Sequence, residues 1–563
     1  MLLSNFNLLA TAPGGVTRLR ELILTLAVQG KLVPQDPTDE PAEKLLQKIL
    51  VEKNQLVAAG KIKRDKPLAA ITEEEHPFKL PVGWKWVRLG QLANFIDYRG
   101  KTPTKTESGV PLITAKNVRQ GFINRLPREF IAETAYAGWM TRGFPKVGDL
   151  LFTTEAPLGN VAAIDIEENF ALAQRVICFG LYEPQMSGAL STFLRSPRMQ
   201  RMFSDQATGV TAQGIKSARL RVIPIPIPPL AEQSRIVTRV EELMHVCDAL
   251  EVKGKLEAAQ HAQLVSTLLG TLAGSDTPDA LAQNWQRIAA HFDQLLDRPQ
   301  AIDAFEKTIL QLAVRGLLVP QDPKDEPASV LLQKIRAEKD CLILEGKIKR
   351  DKPLQPIAEE EKPFEVSAGW EWVRLGTASK KITDGTHHSP ANFPSGDFMY
   401  LSAKNIKPWG IDLSSATFVP KAVHDEIYAR CDPEFGDILY IKDGATTGVL
   451  TVNSIREPFS LLSSVGVIKP SCGLTSEFMA LVMQSPFFYQ AIRDGMAGVA
   501  ITRVTLSKLC DAKFPLPPLA EQSRIVARVE ELRCLCANLR QRLSASQTTQ
   551  AHLAEALVES VVG

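Results

Sequence analysis

Three short groups in this 563-residue chain have residue types that could do chemistry. Gly100-Lys101-Thr102 has the ending of a phosphate-binding loop, in which glycine amides cradle a phosphate and lysine supplies the charge. Position 95, where that loop requires glycine, is Phe, so the cradle is not built. Asp432-Pro-Glu-Phe435 has the outline of the Asp-Pro-Pro-Phe motif of amino-methyltransferases. Glu replaces the second Pro and no glycine-rich cofactor loop precedes it, so it reads as a turn. His387-His388 offers imidazoles to a metal, but with no third ligand close by the pair reads as a polar loop. No nucleophile and base stand at motif spacing. What remains is recognition chemistry: Tyr98-Arg-Gly-Lys-Thr102 and Thr211-Ala-Gln-Gly-Ile-Lys216 carry Arg, Lys and Gln in turns, from which such donors can reach base edges.

The elements that must position these turns are repeated. KIKRDKPL at 61–68 recurs unchanged at 347–354, LVPQDP at 32–37 recurs at 318–323, and Trp84–Gly90 matches Trp370–Gly376, all at an offset of 286. LAEQSRIVTRVEEL at 230–243 returns at 519–532, identical at 13 of 14 positions, at an offset of 289. Between them the copies diverge except for islands at an offset of 288: Ala115-Lys-Asn117 with Ala403-Lys-Asn405, and Gly148-Asp149 with Gly436-Asp437. The pattern is a near-identical head, a divergent middle and a near-identical tail, used twice: two equivalent scaffolds for two different readers.

In the heads, Leu19, Leu22, Ile23 and Leu26, matched by Phe305, Ile309 and Leu312, predict a helix stopped by Gly30 or Gly316. Pro41 and Pro327 open a second helix that runs to Gly60 or Gly346. In the tails, Ile236, Val240, Leu243, Cys247 and Leu250, and Ile525, Val529, Leu532, Cys536, Leu539 and Leu543, step by four and three. That predicts a coiled-coil seam on paired spacer helices holding the middles apart. Proline runs at 224–229 and 515–518 exclude helix or central strand just before each seam. The middles predict mixed α+β structure with short strands, such as Leu150–Thr153 and Ile438–Ile441.

Length implies several domains of ~150 residues each, and 45% apolar with 23% charged residues excludes a disordered chain. The net charge of +2 conceals a split. Residues 81–230 hold 18 Lys/Arg against 11 Asp/Glu, 367–518 hold 14 of each, and the remainder sums to −5. The first middle is therefore basic, as phosphate contact requires, and the second neutral. Eight cysteines without zinc spacing read as reduced, intracellular thiols. A start lacking a basic signal region and the absence of any 18-residue apolar run point to a cytoplasmic protein.

The proline run followed by Leu-Ala-Glu-Gln-Ser-Arg-Ile-Val at 230–237 and 519–526 resembles the signature of specificity subunits of type I DNA restriction-modification systems. Asp97–Pro103, Asp384–Pro390 and the Ala-Lys-Asn islands are similar to segments of that family's target-recognition domains, and the heads at 26–35 and 312–321 to its branch with an extended N-terminal region. The resemblance implies an α+β chain of two mixed α/β target-recognition domains separated by long antiparallel coiled-coil spacer helices, a tandem pseudo-twofold duplication. Its expected parts are an N-terminal helical region (1–80), a first target-recognition domain (81–229), a central helical spacer (230–366), a second target-recognition domain (367–518) and a C-terminal spacer helix (519–563).

Each domain is expected to read one half of a bipartite DNA site, with spacer length setting the separation of the halves. The subunit is expected to be non-catalytic and to carry no cofactor. Two methylation subunits that use S-adenosylmethionine, and restriction subunits that use ATP and Mg, are the expected partners. The expected DNA-binding residues are Arg99, Lys101, Lys116, Asn117, Gln213 and Lys216 in the first domain and Thr386, His387, Lys404, Asn405 and Arg503 in the second. Lys/Arg-rich partner surfaces are expected to complete the grip of the neutral second domain. The different-class alternative is a scaffold that organises protein partners without reading DNA; a lone methyltransferase is a weaker rival.

Overall fold

A computed structural model describes residues 6–98, 102–209, 213–350, 353–494 and 503–562 of the chain. It comprises two compact units, residues 1–257 with 546–563, and residues 258–545. Among the described residues no helix is long and apolar enough to cross a membrane.

In the first unit the head forms α1 (Gly15–Val28) and α2 (Ala42–Ala58). The predicted stop after α1 is Gly30, at φ 67°, where a Cβ would lie 2.5 Å from Pro81 and 2.9 Å from Trp84. Glycine is needed there for its left-handed backbone and for the close approach of the indole. Pro41 caps α2, placing its missing N–H where no helical acceptor exists.

The middle then lays down β1 (Lys85–Arg88), β2 (Ala93–Asp97), β3 (Val110–Ile113), β4 (Phe130–Ile131), α3 (Glu133–Trp139), β5 (Leu150–Thr153), β6 (Val161–Ala163), β7 (Ala171–Leu172), β8 (Val176–Leu181), α4 (Ser187–Leu194), α5 (Ser217–Arg221) and β9 (Pro224–Ile227). A four-stranded antiparallel sheet, β2-β8-β5-β6, and a three-stranded sheet, β4-β3-β7, share the cores. The proline run is a strand: β9 pairs antiparallel with β1, Ile225 opposite Val87 and Pro226 opposite Trp86. Only alternate residues of a two-stranded ribbon donate to the partner, so Pro alternating with Ile fits its outer positions.

The tail is α6 (Leu230–Ala273), whose first part belongs to this unit. Here the expected apolar stripe meets more than one neighbour. Ile236, Val240 and Cys247, with half-buried Leu243 and Leu250, pack into a core with Leu19, Ile23 and Ala27 of α1, Trp84, and Ala189 and Phe193 of α4. The head and reading domain cover part of the stripe, because an apolar stripe accepts any apolar neighbour and the head helix supplies one. Ala554 and Val558 join the same core.

The second unit repeats this plan with α7 (Pro299–Arg315), α8 (Ala328–Leu344), β10 (Glu371–Arg374), β11 (Ser379–Asp384), β12 (Phe398–Leu401), the hairpin β13 (Ile406–Lys407) and β14 (Gly410–Ile411), β15 (Thr417–Val419), α9 (Lys421–Arg430), β16 (Ile438–Ile441), β17 (Leu450–Val452), β18 (Ser460–Leu461), β19 (Val465–Pro470), α10 (Ser476–Gln484), β20 (Lys513–Leu516) and α11 (Leu519–Val562). Its four-stranded sheet is β11-β19-β16-β17, and β10 pairs with β20 as β1 does with β9. Ile525, Val529, Leu532 and Cys536, with half-buried Leu539 and Leu543, pack against Phe305, Ile309 and Leu312 of α7, against Trp370, and against Phe478 and Leu481 of α10. Val265, Leu269 and Leu272, the end of α6, share that core.

Candidate nucleic-acid interface

The signature motif builds the base of each reading domain. Glu232 is buried on the first turn of α6, where its carboxylate accepts hydrogen bonds from Trp84 Nε1 at 3.0 Å and Gln35 Nε2 at 2.5 Å. Glu521 does the same with Trp370 Nε1 at 2.9 Å and Gln321 Nε2 at 2.6 Å. Gln233 and Gln522 donate to the carbonyls of Pro228 and Pro517. Arg235 pairs with Asp39 at 2.6 Å and Arg524 with Asp325 at 2.5 Å. Head, reading domain and long helix are thus tied at one point in each unit. Burial pushes the Glu232 and Glu521 carboxyls above the usual range, against the lowering effect of the Trp and Gln hydrogen bonds.

Among the described residues, the loops carrying Gln213 and Lys216, Thr386 and His387, and Arg503 lie at one end of their unit's four-stranded sheet. In the first unit, β2 and β5 end and β8 begins at the same edge, since Asp97 faces Ile177 and Thr153 faces Val176. Arg99 and Lys101 follow that end of β2 but lie outside the described residues. The loop carrying Gln213 and Lys216, both exposed, is stitched to the end of β5 by the bridge of Gly214 with Glu155 and by Ile215 N–H donating to the Thr154 carbonyl at 3.0 Å. Arg175 joins through a 2.6 Å ion pair with Glu155. Gln174 reaches Thr102 Oγ1 at 3.1 Å.

The second unit assembles the same end from different side chains. Buried Asp384, the last residue of β11, binds buried Lys442 at 2.8 Å and exposed Arg430 at 2.6 Å, with His387 Nε2 3.5 Å away. Thr386 bridges to Leu462, and its hydroxyl donates to the His388 carbonyl. Arg503 is exposed and pairs with Asp443 at 3.3 Å. Val504 N–H donates to the Lys442 carbonyl as Ile215 does to Thr154.

The Ala-Lys-Asn islands divide between two roles. Lys116 and Lys404 are exposed and free to reach a ligand. Asn117 and Asn405 are 2% and 3% exposed, which removes them from the reader set. Asn117 Oδ1 accepts from Thr114 N–H and Oγ1, and its Nδ2 donates to the carbonyls of Asn124 and Pro127 at 3.0 Å. Asn405 accepts from Ser402 N–H and donates to Asp412 O and Ser415 Oγ. An amide whose donors and acceptor are spent on its own turn has nothing left for a base edge. The Gly-Asp islands are also turn builders. Gly148 and Gly436 both adopt φ 90°, and the Asp149 and Asp437 carboxylates accept the backbone N–H of Lys146 and Glu434.

Sequence reasoning missed three cations at these ends, Arg142, Arg175 and Arg430. Arg142 donates to the carbonyl of Asp97, and Arg430 to the side chain of Asp384. Arg142 and Arg430 are 288 positions apart, the islands' own offset, and that was the available signal. A second missed pair is Phe122 and Trp409, 59% and 74% exposed. They stand one position out of register at the islands' offset of 288, in the turn after each Ala-Lys-Asn island, closed by the pairs Val118 with Ile123 and Ile406 with Ile411.

Of the three groups first weighed for other chemistry, Gly100 and Lys101 lie outside the described residues. The Asp432–Phe435 segment is a turn held by Lys381 on Asp432 at 2.6 Å and Lys469 on Glu434 at 2.9 Å. Among the described residues no group of His, Cys, Asp and Glu could hold a metal ion. What each sheet end presents is a set of fixed Arg, Lys, Gln, Thr and His groups, the side chains that hydrogen-bond to base edges and phosphates.

Comparison with known proteins agrees with this chemistry. Residues 81–260 and 394–545 match the type I restriction modification DNA specificity domain. The specificity subunit of the type I restriction enzyme EcoAI from Escherichia coli is 36% identical across 97% of this chain and 94% of its own length. The EcoEI specificity subunit, also from Escherichia coli, is 35% identical over the same shares. Among solved structures, the HsdS subunit from Thermoanaerobacter tengcongensis aligns over 86% of this chain and 97% of its own, with 18% identity and a TM-score of 0.40. Since the domain match takes in more than half of the chain and the relatives span nearly all of it, the chain belongs to the family of type I restriction-modification DNA specificity subunits.

Proposed function

We propose that each sheet end reads one half of a bipartite DNA sequence. The observation that supports this is the equivalence of the two ends: the same strands, turns and anchored arginine, but a different set of outward donors. Arg142, Arg175, Lys116, Gln213 and Lys216 serve the first half, and Arg430, His387, Thr386, Lys404 and Arg503 the second. On this reading the chain is not itself an enzyme. Adenine methylation from S-adenosylmethionine belongs to methylation subunits assembled on its helices, and ATP- and Mg-dependent cleavage to restriction subunits.

The test is selection from a random duplex pool by the full chain assembled with its methylation subunits. Two short specified halves at a fixed separation are expected. Arg430→Ala should relax preference in one half only, by about 1–3 kcal/mol at the base it reads. A pool that shows no enriched halves would sink the proposal, as would an Arg430→Ala variant that weakens all sequences equally.

A further inference from the structure

Each reading domain carries an exposed hairpin tip just after its Ala-Lys-Asn island. In the first unit the tip is Arg119-Gln-Gly-Phe122, closed by Arg119 N–H donating to the Phe122 carbonyl at 3.0 Å. In the second it is Lys407-Pro-Trp-Gly410, closed by the pairing of Lys407 with Gly410 between β13 and β14. The buried amides of Asn117 and Asn405 brace the two tips from below. Glycine at positive φ lets each chain turn, Gly121 at 94° and Gly410 at 144°, yet glycine and aromatic exchange places between the tips.

Phe122 and Trp409 are exposed, and among the described residues neither ring stacks on another or lies beneath a cation. Leu126 and Leu413, four residues further on, are exposed beside them in sequence. Cations flank both apolar pairs. Residues 116–128 hold Lys116, Arg119, Arg125 and Arg128 and no acid. Among the described residues Lys116, Arg119 and Arg128 have no carboxylate partner, while Arg125 pairs with Asp165 at 3.0 Å. The second tip has Lys404 and Lys407, and the acid that follows, Asp412, accepts from the N–H and hydroxyl of Ser414 at 3.0 and 2.6 Å.

The first tip is fastened to the same connection as the reader loop. Gly121 N–H donates to the Val161 carbonyl at 2.7 Å, Gln120 Nε2 to the Gly159 carbonyl at 3.0 Å, and Asn160 Nδ2 to the Val118 carbonyl at 2.9 Å. Residues 154–160 join β5 to β6, and Glu155 among them bridges to Gly214 of the reader loop. In the second unit Ile406 and Ile411 pack with Ile441 and Val449, which flank the corresponding connection. Lys442 in that connection binds Asp384 and accepts from Val504 N–H.

We infer that each tip is a wedge for duplex DNA: its aromatic ring inserts between neighbouring base pairs beside the half read by its domain, and its cations hold the flanking phosphates. Position and divergence select DNA over a protein surface. The tips stand at the sheet ends that carry the readers. They also belong to the divergent middles and differ in ring and in order, whereas an identical partner met twice requires surfaces as alike as the heads and tails. Every base has a face on which a ring can stack, so Phe and Trp can each serve a different step. Such insertion unstacks the step and kinks the duplex.

This inference rests on the DNA-reading function and has its own test. In the full chain assembled with its methylation subunits, the bend of a target duplex is measured by energy transfer between labelled ends. Unstacking is followed by 2-aminopurine placed in and beside each half. One kinked step is expected at each half. Trp409→Ala should abolish the kink at the half whose preference Arg430→Ala relaxes, and Phe122→Ala the kink at the other. Each should weaken target binding by roughly tenfold, as for the loss of one stacked base. Phe122→Leu and Trp409→Phe, which keep an apolar wedge, should retain both kinks.

A target duplex that stays straight and stacked in the wild-type complex overturns the inference, as do kinks that survive both Ala variants. Because the rings are exposed, denaturation midpoints should match wild type; kinks lost only together with a lowered midpoint would assign the rings to folding. Release of methylation subunits by the Ala variants, with the kinks intact in whatever remains assembled, would make the tips protein docking sites. A wild-type complex that binds target and unrelated duplex equally would instead refute the reading function itself.

Discussion

At the scale of single residues, persistence between the two copies does not by itself mean contact with DNA. Asn117 and Asn405 stand in islands that survive while their surroundings diverge, and each spends its whole amide on shaping a turn. Asn117→Ala and Asn405→Ala would leave buried backbone groups unpaired, at a cost of about 1–3 kcal/mol each. Chemical denaturation should register that loss while base preference at either half stays the same; altered preference at full stability would return the asparagines to the readers. Lys116 and Lys404, one residue away, point outward, and their Ala variants should do the reverse. Spacing located these turns correctly, since a short polar island between strands is visible in sequence. Which of three adjacent side chains faces solvent is settled by the local backbone, which no spacing encodes. Arg142 and Arg430 show the converse: they stand at or just past the ends of helices remote in sequence from the reader turns, and only the sheet brings them to the same end.

Among the elements, the head helices, their glycine stops and the strand-rich middles were legible because each obeys a local rule of period or backbone. The long-helix stripes were legible as apolar stripes but not as to what covers them, since a 4-3 pattern is satisfied by a helix of another chain, of another unit or of its own head. The tie that decides the matter is Glu232 with Trp84 and Gln35, and Glu521 with Trp370 and Gln321. Replacing either Glu by Ala orphans a buried indole N–H and a glutamine amide, so about 1–3 kcal/mol should be lost in that unit. Hydrogen exchange resolved by unit should show Glu232→Ala loosening residues 1–257 and Glu521→Ala residues 258–545.

The same carboxyls set a pH dependence. Their folded values are raised by burial, so the native state holds protons that the unfolded chain has released. Their stabilising contribution is therefore fully present below the ordinary glutamate range and is lost as pH rises through the raised folded value. Glu→Gln at both positions should flatten that part of the stability profile. An unchanged profile would mean that other groups govern it.

At the scale of the whole chain, duplication explains the length but not the partition. The repeat ends at the head and tail of each copy, yet the compact units do not: the last 18 residues of the chain, 546–563, belong to the unit built from the first copy. Ala554 is fully buried there, Val558 packs beside it, and Glu555 pairs with Arg18 at 3.2 Å. In the same way the end of α6 contributes Val265, Leu269 and Leu272 to the second unit's core. A tandem repeat read along the sequence alone suggests that each copy folds with its own tail, whereas the antiparallel spacer helices expected from the family resemblance imply this exchange of helix ends. Its consequence is that a truncation at the C-terminus acts at the N-terminus. Ending the chain at Ala545 removes the packing of Ala554 and Val558, worth about 2–3 kcal/mol of apolar burial, and exposes Leu9, Leu19 and Ile23 of the first head. Limited proteolysis of the truncated chain should therefore cut first within residues 6–30, while residues 299–545 stay as resistant as in the full chain. Cleavage that begins instead in the second unit would show that the tail supports the copy it follows in sequence.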